Sequence, residues 1–399
     1  MTSDPVHRRR VFYVPGYDPV HARKYREMYR KEGAEQAAIS GYEIALSPGR
    51  TKGRFGWHVE ARIDGAEVQA DVEVLVWSDI VRGSMAQGVL ATYGQLLQTA
   101  WVYIASGALF PLIGLRKGPF LAVLYPVGFL LLQLVLAVLA AFGLGSVLGL
   151  IHPWLAWGGL IALPVVLEWF RRNDNRFLVY YLMHDYAYSA RYRGANPPEL
   201  EARMAEFGDL IAQALSEDVQ EVLVVGHSSG VHLAVSILSD LIRAGRVPAN
   251  GPALAFLSLG QVVPMVSFLP KARRLRGDLR YLSTRHELTW VDVSAPGDGC
   301  AFALCDPVAV TGVAPEGKRW PLVLSAAFRH TLSPERWKLL RRQYFRLHFQ
   351  YMCAFDYPGD YDYFRITAGP QTLAARYRGR TPSPSRIERP VSRYTGVST

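Results

Sequence analysis

The chain has 399 residues, half of them hydrophobic, with 44 lysines and arginines against 34 acids for a formal net charge of +10. That length allows two or three domains and a large core; the hydrophobic share is high for a soluble enzyme and low for a protein made mostly of membrane spans, so an apolar segment must be concentrated somewhere. Three cysteines (Cys300, Cys305 and Cys353) form neither a disulfide framework nor a metal-ligand spacing, which excludes a stapled secreted domain and points to a reducing compartment.

Residues 10–14 read as a strand, ended by the turn-forming run Pro15-Gly16-Tyr17-Asp18-Pro19. No apolar run follows the basic start at Arg8, Arg9 and Arg10, so no secretory signal peptide is expected. Residues 21–38 form a charged helix. Residues 42–46, 56–63 and 68–77 are rich in β-formers, the last two joined by an Asp64-Gly65 hairpin turn. Residues 1–95 therefore supply the first part of an α/β domain.

From Gly118 to Leu167 run fifty residues without one Asp, Glu, Lys or Arg. A bilayer-spanning helix needs about 20 apolar residues, so this run predicts two, over about 120–141 and 146–167, with a turn at Gly143 and Gly145. Arg116 and Lys117 precede the run and Arg171 and Arg172 follow it. By the positive-inside rule both outer ends are cytoplasmic, which predicts a multi-pass protein of the inner (plasma) membrane. Residues 96–115 are also uncharged, but a third span would divide the strands before and after the insert between two sides of the membrane. That stretch is read as a helix lying along the interface or buried, and 96–170 as the membrane-associated insert.

Residues 177–183 look like a strand and 198–215 an amphipathic helix. The β-branched run at 222–225 leads into Gly226-His227-Ser228-Ser229-Gly230, and apolar residues then recur at helical spacing from Leu233 to Ile242. Strands at 253–259, 288–294 and 322–328 and a basic helix at 270–282 complete a βα alternation, which predicts a mostly parallel sheet flanked by helices. From 376 to 399 arginines scattered among Ser, Thr and Pro predict a disordered tail that contacts anionic lipid headgroups. No phosphate-binding loop, zinc motif, dinucleotide fingerprint or nucleic-acid-binding pattern occurs, so neither cofactor, metal nor nucleic acid is expected.

G-x-S-x-G between a strand and a helix holds a serine on a sharp turn, where the helix start directs N–H groups toward an oxyanion. With this motif the sequence resembles the α/β-hydrolases, over most of the chain outside the apolar insert. The resemblance makes Ser228 a nucleophile and assigns the backbone N–H groups of Tyr17 (or Gly16) and Ser229 to an oxyanion hole. An acid is then expected past a late strand and a histidine after it. Asp298 follows Trp290-Val291-Asp292 and Pro296-Gly297, similar to the acid segment of bacterial relatives; Asp292 and Asp306 fit less well. His348 lies in His-x-x-Tyr, a signature of the same relatives, while His330 just after the 322–328 strand is the alternative base. His227 is expected to point away from the serine. The catalytic part of the domain is thus 171–375. The expected activity is hydrolysis of an ester with an apolar or lipid acyl group, and the alternative is a non-catalytic membrane anchoring protein of the same shape.

Overall fold

The computed structural model describes residues 5–49 and 54–397. Among them eight strands form one sheet: β1 (Arg8–Val14), β2 (Glu43–Pro48), β3 (Gly56–Ile63), β4 (Ala66–Val74), β5 (Glu221–His227), β6 (Ala253–Leu259), β7 (Leu288–Ser294) and β8 (Leu322–Ser325). Their order is β2-β3-β4-β1-β5-β6-β7-β8. The last six of that row run parallel, and β3 pairs antiparallel with both β2 and β4 at one edge.

Helix α1 (Arg23–Ser40) joins β1 to β2. Between β4 and β5 lie α2 (Ser78–Met85), α3 (Val89–Ala105), α4 (Leu109–Leu115), α5 (Lys117–Gly149), α6 (Ala162–Arg172), α7 (Asp174–Phe177), α8 (Val179–Arg191) and α9 (Pro198–Ala214). Helix α10 (Gly230–Arg243) follows β5, and α11 (Val263–Ser267) and α12 (Arg273–Leu282) separate β6 from β7.

The period-2 alternation of a strand divides the apolar residues between two faces. Val11, Tyr13, Leu223, Val225, Leu257 and Val291 pack with Tyr25 and Tyr29 of α1 and with Leu347, Tyr351 and Phe364 near the C-terminus. Phe12, Val14, Val222, Val224, Phe256 and Trp290 pack on the other side with Met204 and Phe207 of α9, Leu233 and Ile237 of α10 and Leu279 of α12. Each fully buried aliphatic or aromatic side chain contributes roughly 1.5–3 kcal/mol, and burial on both faces explains the unbroken apolar runs at 222–225 of β5 and 253–257 of β6.

Because β4 and β5 both pair with β1, everything from 75 to 220 leaves the sheet and returns beside the same strand. Within that excursion, Lys117–Gly149 and Pro153–Arg172 are each long and apolar enough to cross a membrane, and α3 and α4 meet at a bend of 80°. Leu96, Tyr103, Leu112 and Leu115 of the bent pair are buried.

Three expectations are corrected. The hairpin turns at 150–152, not at Gly143 and Gly145: α5 continues through both glycines and stops before His152-Pro153, where proline cannot continue a helix. Gly145 instead lets the arms touch, since a Cβ on Gly159 of the returning arm would lie 2.6 Å from Gly145 Cα. Residues 177–183 are the end of α7 and the start of α8, not a strand; Val179, Tyr180, Met183 and Ala187 are buried along a helical face. The tail is ordered as far as 397, with 398–399 outside the described residues. Ser383 N–H donates to Val323 O at 2.8 Å, Ile387 N–H to Leu304 O at 2.7 Å and Val391 N–H to Val310 O at 3.0 Å. Two of its arginines pair locally, Arg380 with Asp360 at 2.7 Å and Arg386 with Glu388 at 3.0 Å.

Candidate active site

The sheet's connectivity reverses between β1 and β5, and the crevice beyond the carboxyl ends of strands at such a switch point is where parallel sheets bind ligands. Ser228 leaves β5 there with φ +56°, a left-handed backbone that a non-glycine residue holds only when its surroundings enforce it. Its N–H donates to Leu259 O of β6 at 3.0 Å. Close packing enforces the turn, since a Cβ on Gly226 would lie 3.0 Å from Val231 Cα and one on Gly230 only 2.2 Å from Val14 O. Helix α10 begins at Gly230, so its positive end lies beside the serine.

The loop after β1 reaches the same place. A Cβ on Gly16 would lie 2.9 Å from Ser228 Cβ. Tyr17 N–H donates to Ser229 Oγ at 2.7 Å, so the two residues named for an oxyanion hole are neighbours, with the Tyr17 donor engaged in the resting structure. Tyr181 of α8 fixes this loop by donating its hydroxyl to Tyr17 O at 2.6 Å.

His348 and Asp298 form a buried pair, Nδ1 to Oδ2 at 2.7 Å. Asp298 also accepts from Tyr351 OH at 3.0 Å and from Cys300 N–H at 2.8 Å. Burial alone would raise this carboxyl, but the His348 ring and the three donors hold it below the usual carboxylate range. Nε2 of His348 is buried and has no hydrogen-bond partner among the described residues. Ser228, His348, Gly16, Tyr17 and Ser229 line a single cavity.

The other candidates lie elsewhere or act differently. His330 is exposed on the short helix Phe328–Thr331 and does not line the cavity. Asp292 is buried within β7, accepts from Ser258 OH at 2.6 Å and is pushed up to about 7 by burial. Asp306 caps Pro307–Val310 and pairs with Lys318 at 2.6 Å. His227 does not point away: its ring lies 4.7 Å from the His348 ring, and its Nε2–H donates to His348 O at 3.0 Å. Burial, then the neighbouring His348, lowers it to about 3, so it is neutral and positions the His348 backbone.

Sequence reasoning missed Asp185, Tyr181 and Tyr186 of α8, which also line the cavity. Their signal was a single acid within the aromatic run from Tyr180 to Tyr188. Burial pushes the Asp185 carboxyl up to about 7, against a smaller lowering by His348.

Asp298, Cys300 and His348 present ligand atoms within 4.8 Å of one another. The set suits a cation poorly, because Asp298 already takes three donors and burial raises the Cys300 thiol far from the thiolate a metal requires. Comparisons with protein-family models, with curated proteins and with solved structures returned no match.

Proposed function

We propose that this chain is a membrane-tethered serine hydrolase of the α/β-hydrolase type that cleaves an ester of an apolar acyl group. The supporting observation is the His348–Asp298 pair opening into the same cavity as Ser228, which stands on a strained strand-to-helix turn. In this reading Nε2 of His348 takes the proton as Ser228 Oγ attacks the carbonyl carbon, then returns it to the departing alkoxide. Water repeats the sequence on the acyl-enzyme. Asp298 fixes the tautomer that leaves Nε2 free to accept and stabilises the imidazolium. The Ser229 N–H meets the oxyanion, joined by the Tyr17 N–H once the Ser229 hydroxyl turns aside. One such donor is worth roughly 2.7–4 kcal/mol.

The lipid-ester assignment rests on the hairpin. Arg116, Lys117, Arg171 and Arg172 at its base and Trp154 and Trp157 near its tip support insertion in the plasma membrane, with the sheet on the cytoplasmic side. With 33 residues, α5 exceeds the roughly 20 a span needs. The surplus at its start puts Pro119 and Val123 on the cavity wall, so a continuous apolar helix leads from bilayer to serine.

The test is labelling of the full chain in detergent by a fluorophosphonate probe, with turnover of p-nitrophenyl butyrate. Both should be lost in Ser228→Ala and strongly reduced in His348→Ala; turnover by Ser228→Ala at the parent rate would refute the mechanism. A non-catalytic anchoring protein is the second reading, favoured by the engaged Tyr17 N–H and the unpartnered His348 Nε2, and silence of the intact chain toward the probe would select it.

A further inference from the structure

We propose that the cavity beside Ser228 binds a substituted ammonium group, with the Asp185 carboxylate as its counter-ion and aromatic rings as its walls. This deepens the hydrolase reading by naming a feature of the substrate, and its test reads binding rather than turnover.

Tyr17, Tyr103, Tyr181, Tyr186, Phe345 and Phe349 line the cavity, and no lysine or arginine does so among the described residues. Ring faces attract cations, by roughly 0.5 kcal/mol at exposed sites to about 2 kcal/mol when desolvated. Two carboxylates, those of Asp18 and Asp185, line the same space. Asp18 is already occupied, accepting from Tyr25 OH at 2.8 Å and from Val20 N–H at 2.9 Å. Asp185 is partly buried and makes no hydrogen bond or ion pair among the described residues. Such a group is ordinarily paired, because an uncompensated charge in a low-dielectric site is costly.

The histidines form no hydrogen bond or ion pair with Asp185, and His348 offers only a through-space attraction smaller than the effect of burial. His227 is neutral, as described above, and burial holds His232 at about 4, so it is neutral too. His348 is committed to Asp298. The raised Asp185 carboxyl fits the same picture, since a bound cation restores the ionised form. An anionic ligand, by contrast, would meet carboxylates and no fixed positive side chain. The cavity is therefore built for an ammonium carried by an amphiphile or by a small soluble ester.

Calorimetric titration of the full chain in detergent tests this with phenyltrimethylammonium and its uncharged isostere tert-butylbenzene. The cation should bind at least tenfold more tightly, Asp185→Asn should cut that preference below threefold, and Asp185→Glu should retain it. Decyltrimethylammonium binding tighter than the phenyl compound would identify a membrane amphiphile as the source, and equal binding a small soluble one. Equal affinity for cation and isostere, or an undiminished preference in Asp185→Asn, overturns the inference. If the fluorophosphonate labels Ser228 while no preference exists, only the ammonium site falls. If the preference exists and labelling fails, the hydrolase reading falls and the site stands.

Discussion

Asp298→Asn changes one group at the point where three donors converge. Oδ1 accepts from the Cys300 N–H at 2.8 Å, while Oδ2 accepts from His348 Nδ1 at 2.7 Å and Tyr351 OH at 3.0 Å. An asparagine that keeps its oxygen on Cys300 presents an NH2 to His348. Nδ1 must then accept, so the ring proton moves to Nε2, the nitrogen that the proposed mechanism needs free for Ser228. The reversed amide aims its NH2 at the Cys300 N–H, donor against donor, inside a buried pocket. Either way the useful tautomer is lost, and the expected fall in kcat is roughly a thousand- to ten-thousandfold, about 4–5.5 kcal/mol of barrier, with a much smaller change in KM. The assay is p-nitrophenyl butyrate turnover in detergent, with a thermal melt to show that the variant is folded. A folded Asp298→Asn protein working within tenfold of the parent rate would refute the assigned role of this carboxylate.

Gly230→Ala would bring a methyl group to 2.2 Å from a backbone oxygen of β1, which cannot swing away as a side chain can. A loss of about 1–3 kcal/mol in a denaturant melt is expected, together with reduced probe labelling. Tyr351→Phe leaves the buried Ala295 N–H, now donating to the Tyr351 hydroxyl at 3.0 Å, without an acceptor and takes one donor from Asp298. Its expected cost is about 1–3 kcal/mol by the same measurement. Asp292 is raised to about 7 when folded, so the native chain holds a proton that the unfolded chain, near 3.9, has released. Parent stability should fall as pH rises from about 4 to 7 and level off above, by at most about 4 kcal/mol from this group. Asp292→Asn should flatten that slope in melts compared at pH 5 and pH 8, though not abolish it, because Asp185 titrates in the same direction. An unchanged slope would show that Asp292 is ionised in the fold.

The strand, serine turn and helix at 221–243 were legible because each is a local pattern: a β-branched run, two glycines that backbone atoms approach closely, and a 3.6-residue repeat. Asp298 and His348 were reached only through the resemblance to the α/β-hydrolases, since position after a strand alone favoured His330; the structure pairs the two, and Tyr351 reaches Asp298. Helix α8 was not legible. Buried along much of its surface in the excursion, it lacks the polar stripe that separates a helix from a strand in a run of tyrosines and aliphatics, and Asp185 was overlooked with it. The tail was misjudged for another reason. Its composition cannot build a core, but it adheres through backbone hydrogen bonds to loops and strands far away in sequence, and no local pattern records such pairings.

The position of β1 also sets a schedule for synthesis. One of its edges can be occupied as soon as β4 exists, but the other waits for β5, roughly 150 residues later. At about 5–20 residues per second that interval lasts roughly 7–30 seconds. During it the nascent chain carries an open strand edge, a template for wrong pairing, while the long apolar helix α5 leaves the ribosome. Under the proposed membrane-tethered reading, early delivery of that helix to a lipid-facing insertion machinery would do more than anchor the product: it would remove the segment best able to stick to the unfinished sheet.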